Sequence, residues 1–112
     1  MRSVNEHLKE KLKDPYFKEL YELEEQKLGI VKHIVDYRVK NSLTQKQLAR
    51  KLGITQQHLS KIENGEFSSV VTLDKVLLFI GFKVRLELVP LQKSVRDKIQ
   101  RARSPQILPQ AA

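Results

Sequence analysis

The sequence predicts an all-α protein: a five-helix bundle preceded by a helical extension and followed by one strand. Three observations predict it. Apolar residues recur at helical spacing from Ile30 to Ile80, the stretch Thr44–Gly65 turns sharply at a glycine, and Phe82–Val89 switches to strict alternation. On this division residues 1–28 are an N-terminal helical extension, 29–82 the bundle, 83–89 the strand and 90–112 a basic C-terminal tail.

In VNEHLKEKLK, Val4, Leu8 and Leu12 stand at i, i+4 and i+8, the pattern of a short helix that needs something to pack on. Asp14-Pro15 reads as a helix start, with Asp as cap and Pro at the first helical position. The helix that follows turns Phe17, Leu20, Tyr21 and Leu28 to one side and its acids outward. From Ile30 to Lys40, the residues Ile30, Val31, Ile34, Val35, Tyr37 and Val39 form a broad apolar face. Gly29 either hinges the two segments or sits inside one long helix, and both remain open. Asn41-Ser42 ends the helix before Thr44.

The stretch TQKQLARKLGITQQHLSKIENG reads as two short amphipathic helices with a tight corner. Leu48, Leu52, Ile54, Leu59 and Ile62 face inward. Thr44 and Gln47 have the spacing of a capping box, and Ala49 is small where the helices must approach. Gly53 takes the corner, Thr55 caps the second helix, and Asn64-Gly65 closes it. A plain helical hairpin shares the apolar stripes. It has no need of the small residue, the corner glycine and a polar first turn together, and that combination is the pattern of a DNA-binding helix-turn-helix.

Beyond Gly65, EFSSVV reads as a loop, and Thr72 as the cap of an apolar helix, LDKVLLFI, stopped by Gly81. In FKVRLELV, Phe82, Val84, Leu86 and Leu88 alternate with Lys83, Arg85 and Glu87. No second strand is visible, and a lone strand leaves its backbone groups unpaired. The expected solution is pairing of Val84, Leu86 and Leu88 with the same strand of a second copy across a dimer axis. In the tail, Leu91, Val95, Ile99 and Ala102 suit a short amphipathic helix carrying Lys93, Arg96, Lys98, Arg101 and Arg103. Pro105 and Pro109 are expected to prevent regular structure beyond it. The tail reads either as a solvated, partly disordered terminus or as an interaction arm for DNA phosphates or a partner protein.

The formal net charge of +8 is uneven. Residues 1–28 hold six basic and seven acidic groups, residues 29–82 eight and four, and residues 83–112 seven and two. Positive charge therefore gathers on the bundle and the tail, as a phosphate-binding surface requires. With no cysteine, disulfides and thiolate metal sites are excluded. The N-terminal residues lack the apolar run of a signal peptide, and Val76–Phe82 is too short to span a bilayer, so a cytoplasmic location is expected. His7, His33 and His58 stand apart without metal-ligand spacing. Glu24 and Glu25 point about 100° apart on a helix, a poor acid–base pair. Nothing supports an enzyme, a cofactor or a metal.

The block Arg38…LTQKQLARKLGITQQHLSKIENGE resembles the helix-turn-helix of lambdoid phage repressors and Xre-type regulators, from about Ile30 to Gly81. The resemblance implies a lambda-repressor-like bundle in which Gln45 binds a phosphate while Thr55, Gln56, Gln57 and Ser60 read bases. It also implies that Arg38 and Glu63 form a structural pair. Gln suits bidentate bonding to adenine, and Lys40, Lys46, Arg50 and Lys61 are candidates for phosphate contacts. The wider layout, DPYFKELYELEEQ before the helix-turn-helix and FKVRLELVP after it, resembles HigA-type antitoxins. A terminal strand is similar to that of HipB-type antitoxins, which dimerise through it. These families imply a homodimer on a palindromic duplex operator, repressing its own operon and neutralising a toxin: a RelE-like RNase or a HipA-like kinase. The alternatives are a phage-type or stand-alone repressor without a toxin, and an interaction module that has lost DNA binding.

Overall fold

The computed structural model describes residues 3–107. Its elements are α1 (Val4–Lys11), α2 (Pro15–Lys40), α3 (Gln45–Leu52), α4 (Gln56–Glu63), α5 (Val70–Ile80) and α6 (Lys93–Ile107). The chain divides into two compact units, residues 24–86 and residues 1–23 with 87–112. No helix among the described residues is long and apolar enough to cross a membrane.

Each helix of the 24–86 unit contributes to one core. Ile34 from α2, Leu48 and Ala49 from α3, Leu59 and Ile62 from α4, and Leu73, Val76 and Leu77 from α5 are buried together. Ile30, Tyr37, Leu43, Leu52, Ile54, Phe67, Ile80 and Val84 seal its edge. Aromatic edges add to the seal: Tyr37 meets Phe79 edge-on at 6.2 Å and His33 lies 4.9 Å from Phe82. The Lys27 ammonium stands 5.4 Å above the Phe67 ring. The Val84 N–H donates to Asp74 Oδ1 at 3.2 Å, holding the exit from α5 to the side of that helix.

The helix ends show how the sequence dictates the corners. At the end of α3 the Ile54 N–H donates to Ala49 O and the Gly53 N–H to Arg50 O, with Gly53 at φ +73°. This paired closure needs a left-handed residue. The ends of α4 and α5 repeat it at Gly65 and Gly81. The end of α2 uses the same closure with a serine: Leu43 N–H to Arg38 O, Ser42 N–H to Val39 O, and Ser42 at φ +54°. The Asn41 amide reinforces it by donating to Tyr37 O at 2.8 Å.

In the other unit, α1 is capped by Ser3, whose hydroxyl accepts from the Glu6 N–H. Asp14 caps α2, its carboxylate accepting from the Tyr16 N–H at 3.0 Å. Phe17 stacks on Tyr21 at 6.2 Å, and the Lys11 ammonium lies 5.7 Å from the Phe17 ring. None of the side chains described here is fully buried; Leu8, Leu12, Tyr16, Phe17, Tyr21, Val95 and Ile99 are half-buried.

Four expectations are corrected. The expected five-helix bundle has a core of four helical elements, α2 to α5, with no buried residue from α1. The strand expected over 83–89 is not formed in the single chain: residues 82–92 are neither helix nor ladder. A strand exists only through a neighbour, and none of the described segments supplies one. Helix α5 begins at Val70, capped by Ser69 through the Thr72 N–H at 3.2 Å, so Thr72 is a donor in the first turn and not the cap. Finally, α6 runs through Pro105 to Ile107, because a proline near a helix end removes one backbone bond and leaves the earlier turns intact. Pro109 lies outside the described residues. At the open position, Gly29 sits inside the continuous α2.

Local geometry predicts three stability changes, readable as urea-unfolding midpoints. Ser42→Gly stabilises by roughly 0.5–1 kcal/mol, because serine pays the left-handed penalty. Gly29→Ala stabilises by about 1 kcal/mol, since a methyl there meets nothing within 4 Å. Ile34→Ala, at a fully buried position, destabilises by roughly 2–5 kcal/mol.

Candidate nucleic-acid interface

Helices α3 and α4 pack through Leu48, Ala49, Leu59 and Ile62, all buried. Ala49, 2% exposed, is the small side chain that lets them approach. Thr44 and Gln47 cap reciprocally: the Thr44 hydroxyl accepts from the Gln47 N–H at 3.1 Å, and the Gln47 amide oxygen accepts from the Thr44 N–H at 2.9 Å. Thr55 caps α4, its hydroxyl accepting from the His58 N–H at 3.0 Å. That bond uses the Thr55 oxygen inside the protein and fixes where the first turn of α4 begins.

With Leu59 and Ile62 turned inward, helical geometry sends the start of α4 outward. Thr55, Gln56 and Gln57 are exposed, while His58 and Ser60 are half-buried. Lys40 at the end of α2, Lys46 and Arg50 on α3 and Lys61 on α4 are also exposed. Two outward amides, with exposed cations on the same three helices, suit hydrogen bonding to base edges together with phosphate contacts.

The end of α4 is held by a three-residue cluster. Glu63 accepts two bonds from the Arg38 fork, Nε to Oε2 at 2.9 Å and Nη2 to Oε1 at 3.0 Å. Arg38 Nη1 also donates to Leu43 O at 3.3 Å. The Glu63 side chain is only 6% exposed, against 20% for Arg38. Gln45 Nε2 adds a third bond to Glu63, to Oε1 at 3.0 Å. Helices α2, α3 and α4 thus meet at one carboxylate. Sequence reasoning assigned Gln45 to a phosphate and missed its bond to Glu63, which lies eighteen positions away with no local pattern to announce it. An amide nitrogen carries two N–H groups, so this bond orients Gln45 without exhausting its donors.

The pieces of the interface all fall within one matched segment. Residues 34–84 match the family model described as Helix-turn-helix. The match covers just under half of the chain, from buried Ile34 to Val84, and supports a DNA-binding transcriptional regulator of the Xre type. No curated protein and no solved structure matches the chain.

Removing Arg38 strands a nearly buried carboxylate. Arg38→Ala is expected to destabilise by about 2–3 kcal/mol, toward the low side of such losses because Arg38 keeps some solvent contact. Arg38→Lys should recover only part, since an ammonium cannot reproduce the two-pronged contact. Chemical denaturation of the two variants tests the order.

Proposed function

We propose that this protein is a sequence-specific DNA-binding repressor that acts as a dimer, and that it is the antitoxin and autorepressor of a toxin–antitoxin operon. The observation that carries the DNA reading is the exposed Thr55-Gln56-Gln57 turn at the start of a helix whose other end is pinned by Arg38, Glu63 and Gln45. Gln56, Gln57 and Ser60 act on bases, as does Thr55 through the methyl and the hydroxyl proton that its cap bond leaves free. Gln45, Lys40, Lys46, Arg50 and Lys61 act on phosphates.

The dimer rests on residues 82–92, whose alternating apolar side chains have no regular backbone ladder in one chain. Leu86 and Leu88 are largely exposed, as are Val70 and Val71 of α5. A groove of about 340 Å³ lined by Val70, Val71, Asp74, Val84 and Leu86 lies along the start of this segment. A second copy of the strand would pair the backbone and cover these side chains. Two copies would then present their α4 helices about 34–36 Å apart, one turn of a duplex.

The antitoxin role rests on the layout of extension, helix-turn-helix and terminal extended segment. Its partner is a RelE-like RNase or a HipA-like kinase encoded beside it. Co-expression with the neighbouring open reading frame should yield a co-purifying pair and rescue growth; a neighbour that neither binds nor inhibits growth removes the antitoxin role and leaves the repressor.

Footprinting tests the base assignment. Gln57→Ala should lose about 1–3 kcal/mol of preference for the operator over a scrambled duplex. Lys46→Ala should weaken both duplexes alike and lower the salt slope by about 1. An operator preference unchanged in Gln57→Ala refutes the role of that residue. Light scattering behind a sizing column should give twice the chain mass; a monomer at micromolar concentration rules out the strand-paired dimer.

A further inference from the structure

Helix α6 carries a second concentration of positive charge. Its sequence, KSVRDKIQRARSPQI, holds five basic residues against one acid, Asp97. The structure sorts the first turns by chemistry: Val95 and Ile99 are half-buried, while Lys93, Arg96, Lys98 and Arg101 are exposed. The one acid offsets little. Arg96 and Asp97 stand 3.6 Å apart with half and two-fifths of their side chains in solvent, and an exposed pair of this kind is weak and readily exchanged. Arg101 Nε donates to Asp97 O at 3.3 Å, which lays the guanidinium along its own helix.

We propose that α6 is a second DNA-contacting element, one that grips backbone phosphates without reading sequence. The proposal rests on the DNA-binding reading of α4 and extends it. A polyanion asks only for cations, because binding is driven largely by release of its condensed counterions. The alternatives ask for more. A membrane surface requires an outward apolar face, and the apolar stripe of α6 is the half-buried one. A protein groove requires large exposed anchors, and the outward residues among 93–102 are Lys, Arg, Ser, Gln and Ala. Two of the four exposed cations are arginines, whose planar forks match phosphate oxygens.

Helices α4 and α6 belong to one chain and are joined through residues 81–92. A duplex held by α4 is therefore tethered to the cations of α6, and modest contacts add to affinity.

The test uses the full chain with Lys93→Gln, Arg96→Gln, Lys98→Gln and Arg101→Gln combined. Binding is measured across salt concentration on a duplex of the region upstream of its own reading frame and on a scrambled duplex of equal length. The expected result is an equal fold-loss of affinity on both duplexes. The slope of log affinity against log salt should flatten by about 2–4 per bound chain, at roughly 0.9 per phosphate contact. A companion variant, Arg96→Lys with Arg101→Lys, keeps the charge and should keep the slope. All four side chains are exposed, so far-UV circular dichroism should be unchanged.

Wild-type-like slope and affinity in the quadruple variant overturn the proposal while leaving the α4 reading intact. Unchanged duplex binding with loss of binding to phosphatidylserine vesicles overturns it in favour of a membrane contact. A wild-type chain that binds neither duplex overturns the DNA reading itself, and this proposal with it.

Discussion

The two-pronged contact between Arg38 and Glu63 is the constraint on which the rest of the interface depends. The carboxylate is almost enclosed, so its charge is tolerable only with its partners in place. Arg38 comes from α2, Gln45 from the first position of α3 and Glu63 from the last of α4. Three helices that share little local sequence are therefore tied by directional bonds, where apolar packing alone would permit sliding. The fork also reaches Leu43 O, in the connection that sets where α3 begins. Hydrophobic burial supplies the compactness of the bundle; this cluster supplies its register.

That division of labour explains the placement of polar residues along α4. Thr55 spends its oxygen on the His58 N–H and Glu63 spends both of its oxygens on Arg38 and Gln45, so the two ends of the helix are occupied internally. Gln56 and Gln57, between them, are left outward. A helix fixed at both ends presents its intervening amides from a backbone with little freedom to lose on binding, which leaves the ordering of the two glutamine side chains as the main conformational cost.

Much of this was legible in the sequence, for an identifiable reason. The Thr44–Gln47 box, the corner at Gly53, the small Ala49 and the cap Thr55 are each encoded within a few positions, so their pattern is readable without the third dimension. What escaped was either ambiguous locally or non-local. Ser69 and Thr72 both carry a hydroxyl suited to capping, and Val70-Val71 are β-branched, so local sequence favours a start of α5 later than the true one at Val70. Ser42 takes a left-handed turn usually given to glycine. Pro105 has the residue type of a breaker, yet it falls where one lost bond is tolerable. The alternation in FKVRLELV reports an extended chain faithfully, but alternation says nothing about whether a neighbour exists. The Asp74–Val84 and Gln45–Glu63 bonds join positions with no shared periodicity.

The repeated closure at the ends of α2 to α5 carries a kinetic consequence. Each stop is written in bonds that reach back only three to five positions, and the helices they delimit are consecutive along the chain. Topologies dominated by such near-neighbour pairings fold within about microseconds to milliseconds. Nascent bundle can therefore assemble almost as soon as its last helix is available, and the waiting time before it becomes competent is set by synthesis and not by the search for structure.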